Sequence, residues 1–212
     1  MNRPEQQAER SLSDEARREW EGHVASVLGG LAHALNNRAA AVSAVLELSN
    51  EPGQDVAPSI AHLSTEVQRL RELVDIVRTI AGEPSWKPEA FEPGDAATTA
   101  GRVSGLHTGL QDHAISFDVA AAAPIRVDRI AFVRALVALI ASAAGGREGG
   151  AIAVVVAEDN GWVVIRVAGA SAPTRLSPYT SEIVRALGGE PMPGALGFRL
   201  PTLASLRKQE RR

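Results

Sequence analysis

The sequence has no cysteine. That excludes disulfides, thiolate nucleophiles and cysteine-ligated zinc or iron–sulfur sites. Aromatic residues are scarce, at 4% of 212. Hydrophobic residues nevertheless make up 45%, too many for a disordered chain. The core must be built from Ala, Val, Leu and Ile, which favours helix-rich packing. No apolar run reaches the ~18 residues of a membrane span. The opening "MNRPEQQAERSLSDEARREWEG" is charged where a signal peptide would be apolar. A formal net charge of −3 gives no overall attraction for nucleic acid. The expectation is a soluble, cytoplasmic protein that engages neither nucleic acid nor membrane.

What is present divides the chain into segments. Residues 1–12 are polar and read as a flexible N-terminus. A long helix is expected from Ser13, with Ser13 or Ser11 as its cap and acids in its first turn. It should stop in "SNEPGQD" (49–55), where Pro52 and Gly53 cannot continue it. A second helix should start near Asp55, tolerate Pro58 in its first turn, and end in "AGEP" (81–84). In that helix Ile60, Leu63, Val67, Leu70, Val74, Val77 and Ala81 recur at steps of three and four, a heptad seam. Val24, Leu28, Leu31, Leu35, Val42 and Val45 form a comparable seam in the first helix, interrupted at Arg38. Residues 13–83 therefore read as a helical hairpin. One hairpin buries only part of such seams. Pairing two hairpins into a dimeric four-helix bundle would bury the rest; packing on the same chain's C-terminal half is the alternative.

"PSWKPEAFEPG" (84–94) reads as a linker. Residues 95–205 then mix elements: a helix over 94–113, a strand in "AISFDVA" (114–120), and a mostly buried helix in "RIAFVRALVALIASAAGG" (129–146). A hairpin turning at Asn160-Gly161 follows, then a short helix over 177–189 and a last strand in 195–203. The fold class is α+β, a helical hairpin followed by a two-layer α/β domain. "LRKQERR" (206–212) reads as a solvated basic tail.

His33 is the residue of chemical interest. At 100° per residue the seam residues of the first helix occupy one narrow sector, and His33 falls nearly opposite them. Ser26, Gly29, Gly30, Asn37, Ala40 and Ala44 lie on or beside its face. A solvent face is normally rich in Glu, Lys and Arg; this one is stripped to small residues around one imidazole. A glycine within a helix costs ~1 kcal/mol relative to alanine, and two occur in succession. Such a bare face would let another protein approach the ring. Ser26, Gly29, Gly30, Ala40 and Ala44 are the expected partner-docking residues. The other histidines fit no metal site: His23 is ten residues from His33, and His62, His107 and His113 fall in separate elements without ligand spacing, as surface histidines. "GGREGG" (145–150) follows a helix instead of opening one and reads as a loop.

"LAHALNN" (31–37) resembles the H-box of two-component sensor histidine kinases. There a phosphoacceptor histidine sits on the first helix of a dimeric hairpin. The order of elements after the hairpin resembles the ATP-binding domain of those kinases. The departures matter as much. The acid that usually follows the histidine is replaced by Ala34, and the N-box asparagines, one of which binds Mg²⁺, correspond to Ala138 and Ser142. The adenine-reading aspartate corresponds to Gly169, in "VAGASAPT" (167–174), and the phosphate lid is missing. Phosphoryl transfer from ATP relies on such groups for positioning and charge neutralisation. The resemblance thus implies a degenerate histidine-kinase-ATPase-like domain that binds no ATP. It points to a histidine phosphotransferase relaying phosphate between response-regulator receiver domains through His33. The receiver would bring Mg²⁺, and this chain would hold no cofactor or metal. The resemblance gives Asn37, one turn beyond His33, a possible role in orienting water or the phosphoryl group. Two alternatives stay open: a non-catalytic pseudokinase scaffold, and a receiver phosphatase acting through Asn37.

Overall fold

The first helix begins as its cap dictates: the Ser13 hydroxyl accepts from the backbone N–H of Ala16 at 3.2 Å. In the computed structural model, which describes residues 12–49, 56–120, 122–145, 149–168 and 175–210, α1 runs from Asp14 to Ser49 and α2 from Val56 to Ala81. The expected cap Ser11, the turn at Pro52-Gly53 and the helix start at Asp55 lie outside the described residues, as do residues 146–148 of the 145–150 loop and Gly169.

The break at Arg38 has a physical reason. Arg38 reaches across the hairpin to Glu66 at 3.3 Å, and Arg69 pairs with the same carboxylate at 2.6 Å. Glu66 is buried. A buried carboxylate left alone would be costly, so the seam gives way to a cross-helix ion group that fixes the register of the two helices.

The hairpin uses its two ends differently. Near the chain start, Ala16, Trp20, Val27 and Leu31 of α1 and Ile76 and Ile80 of α2 are buried. Except for Leu31, they join the core of the α/β domain. Other seam residues stay open to solvent in the single chain: Leu28, Leu35, Ile60, Val67 and Val74 are 40–58% exposed. Packing on the chain's own C-terminal half and an unpartnered seam therefore coexist.

The α/β domain has elements β1 (Glu89–Phe91), α3 (Pro93–Leu106), β2 (His113–Val119), β3 (Ile125–Val127), α4 (Arg129–Ala144), β4 (Gly150–Asp159), β5 (Trp162–Ala168), α5 (Pro178–Ala186), β6 (Glu190–Pro191), β7 (Gly197–Pro201) and α6 (Leu203–Glu210). A 3₁₀ turn, Thr108–Leu110, follows α3. Five strands form one sheet in the order β2-β4-β5-β7-β6, and β1 pairs with β3 apart from it. β2 and β4 run parallel; the other neighbours are antiparallel. Burial alternates along β4 at Ile152, Val154 and Val156, the mark of a sheet covered on one face. Beneath it, α4 is nearly all apolar and is buried from Ala131 to Ile140. Asp128 caps it, accepting from Ala131 N–H at 2.8 Å. At the β4–β5 turn Asn160 and Gly161 have φ of 51° and 81°, the paired positive values that the Asn-Gly hairpin signal implies. No helix of the described residues is long and apolar enough to cross a membrane.

Several segments differ from expectation: the helix expected over 94–113 ends at Leu106, and a 3₁₀ turn and the start of β2 take up its last residues. The linker contains β1, which forms only because residues 125–127 pair with it. The basic tail begins inside α6, whose start is held by Thr202: its hydroxyl accepts from Ser205 N–H at 3.2 Å.

Candidate functional site

α1 carries His33 out to solvent, as its helical position requires. Asn37 is one turn on and also exposed; its Nδ2 lies 3.1 Å from His33 Nε2. With the amide NH₂ as donor, the ring proton is assigned to Nδ1 and Nε2 keeps its lone pair, the requirement of a nucleophile. Ala40 and Ala44 are exposed beyond Asn37, Ala34 and Ser26 are half-buried, and Gly29 is exposed. The structure thus gathers His33, Asn37, Ala40, Ala44 and Gly29 on one open strip of helix.

Gly30 does not belong to that strip. It is buried, and a methyl placed on it would run into the backbone carbonyl of Leu106. The glycine is there so that the end of α3 can press against α1. Gly29 stands beside this contact, with its would-be Cβ at an ordinary 3.4 Å from Thr108 Cγ2. The α/β domain therefore adjoins the helix one turn before His33.

The surface reading of His107 is also corrected. It is 7% exposed, and its Nε2 lies 3.2 Å from His23 Nδ1. Burial, followed by the neighbouring His23, pushes the His107 pKa down to about 4. His23 in turn faces Glu19 at 3.7 Å. Glu19 is partly buried, which would raise its pKa, but His23, the Ser177 hydroxyl and the Tyr179 N–H together hold it below the usual carboxylate value.

Glu19 leads to the start of α5. The N-terminus of a helix offers free N–H groups and a favourable dipole to an anion. Here Tyr179 N–H donates to Glu19 Oε2 at 2.9 Å, so the anion is this chain's own carboxylate. On α4, Ala138 is fully buried, and Ser142 donates to the Ala138 carbonyl at 2.8 Å. Neither is a side chain free to take a metal. No group of three His, Asp or Glu among the described residues is placed to hold one.

Glu19, Tyr179 and Arg134 carry no role in the sequence reading, which places His107 only at the surface. For Arg134 a signal existed: it is a solitary charge within the apolar run of α4.

No family model matches the chain, and no curated protein matches it in sequence. Among solved structures, the histidine kinase AdeS of Acinetobacter baumannii is 15% identical, with 81% of this chain and 98% of that one covered at a TM-score of 0.42. A bacterial phosphotransferase is 16% identical, with 82% and 93% covered at 0.37. The histidine kinase ThkA, in complex with the response regulator TrrA, is 14% identical, with 91% and 68% covered at 0.42. These likenesses are distant, and the functional reading rests on the site.

Proposed function

We propose that the chain is a histidine phosphotransferase of two-component signalling. It relays phosphoryl groups between receiver domains through His33 and does so without ATP. The observation that carries this reading is the exposed imidazole of His33, held by Asn37 on a strip of small residues.

The step needs little from this chain. His33 Nε2 attacks the phosphorus of a receiver's aspartyl phosphate as the Asn37 amide turns aside. The N–P bond forms, the P–O bond to the aspartate breaks, and the carboxylate stays on the receiver. Transfer onward reverses the sequence on a second receiver. Mg²⁺ held by the receiver would offset the phosphoryl charge; among the described residues no group of three His, Asp or Glu is placed to hold it.

Two features support independence from ATP: Ala138 and Ser142 are buried or internally bonded, and Glu19 already occupies the start of α5. Calorimetry with ATP and Mg²⁺ should show no heat of binding. The exposed seam residues support a homodimer through α1 and α2. On the wheel, Leu28 and Leu35 lie roughly opposite His33, so dimerisation leaves the imidazole free. Asn37 also favours a second reading, a receiver phosphatase in which the amide orients water.

The test is incubation with phosphorylated receiver domains from the same genome, followed by assay for acid-labile phosphate on this protein. The expected result is label on the parent chain and none on His33→Ala. Phosphate carried from receiver to receiver by His33→Ala would overturn the relay. Receiver binding with no label on the parent would make the chain a scaffold.

A further inference from the structure

The hairpin and the α/β domain meet through a set of buried contacts that the reading of His33 does not use. Arg134 of α4 is 4% exposed. Its guanidinium donates to the carbonyls of Thr79 and Ile80, each at 3.1 Å, and to that of Gly82. These are last-turn carbonyls of α2, which have no partner within the helix, and the carbonyl just beyond. The same guanidinium lies 4.8 Å from the centre of the Trp20 ring of α1, within cation–π range. Trp20 stacks on Tyr179 of α5, with ring centres 4.9 Å apart and 15° between planes. One arginine of the domain therefore grips both helices of the hairpin.

Further contacts flank it. Glu19 caps α5 through Tyr179 N–H. Ser13 donates to Glu182 through its backbone N–H at 2.7 Å and its hydroxyl at 2.6 Å. Gly30 admits the backbone of Leu106. A domain swinging on a tether would have to strip Arg134 of its acceptors, separate Trp20 from Tyr179 and uncap α5 together. Packed interfaces of this kind have discrete arrangements and do not deform continuously.

We propose that hairpin and α/β domain move as one clasped body pinned by Arg134, so that the domain is a fixed wall beside His33 and not an arm that swings to it. This holds whether or not His33 carries phosphate.

Electron–electron resonance tests it directly, because the chain has no cysteine to interfere with spin labels. Labels go on Gln68→Cys in the hairpin and Ser116→Cys in the domain, both exposed. Excess unlabelled chain restricts the signal to distances within one protomer. The parent should give a single narrow distance. Arg134→Met, which keeps volume and removes the donors, and Trp20→Leu should each broaden it or add a second distance while circular dichroism shows the helices retained. Should Arg134→Met fail to fold, Trp20→Leu decides. A broad or multiple distance in the parent overturns the clasp, as does a folded Trp20→Leu as narrow as the parent.

Discussion

Asn37 Nδ2 stands 3.1 Å from His33 Nε2, one helical turn apart on an exposed face. A hydrogen bond of this kind contributes about 1 kcal/mol, roughly fivefold in a rate or a population. Asn37→Ala should therefore slow phosphoryl transfer to His33 only a few-fold, by releasing the ring from one tautomer. If the amide also positions water, receiver dephosphorylation should fall by a much larger factor. Measuring the two rates on one variant separates these roles, and both unchanged would leave Asn37 without one.

Ala40→Arg and Gly30→Ala should fail in different ways. Ala40 lies on the open strip, where a long cation keeps a partner's reacting atom from the ~3–3.5 Å that transfer needs. Transfer should drop at least about tenfold with the melting temperature unchanged. Gly30→Ala would normally gain helix propensity, but its methyl meets the Leu106 carbonyl. Overpacking against a backbone costs about 1–3 kcal/mol, so thermal stability should fall.

The proposed dimer is testable at a residue whose replacement leaves the single chain's core alone. Val67 is 45% exposed and belongs to the α2 seam. Val67→Asp should turn the dimer into a folded monomer in sedimentation at tens of micromolar, because a carboxylate in a closed seam costs several kcal/mol. A parent chain that sediments as a monomer would refute the bundle.

Acid should weaken the fold, and His107 sets the window. Its folded-state pKa of about 4 lies below the ordinary 6.5. Between those values the unfolded chain binds a proton that the folded chain does not, so stability is full above pH 6.5 and falls as pH drops toward 4. A difference of that size is worth roughly 3 kcal/mol. Glu19, also held low, loses its contribution in the same direction at still lower pH. Denaturant titrations at several pH values should show the loss, and His107→Gln should flatten the profile between 6.5 and 4. An identical profile for the variant would place the dependence elsewhere.

Much of this fold can be read from local pattern. The Ser13 cap, the heptads of α2, the buried run of α4 and the Asn160-Gly161 turn each depend on neighbours within a few residues. The rest depends on partners far along the chain. Phe91 is in a strand because Ile125 lies opposite it. His107 is buried because His23, 84 residues earlier, comes to meet it. Gly30 looked like a clearing for a partner because a sequence cannot distinguish a gap left for another protein from one filled by its own. The strip around His33 was legible because a helical wheel needs only the helix.

The Arg38–Glu66–Arg69 group also limits how the hairpin can carry a mechanical signal. Sliding α1 past α2 by a turn, or rotating it, would pull Arg38 from a carboxylate with almost no access to water. Glu66 would then keep only Arg69, on its own helix, and the hairpin would lose the one cross-helix arm of this ion group. A push on one end of α1 therefore reaches the other end as movement of the whole hairpin. The hairpin is built as a strut and not as a piston.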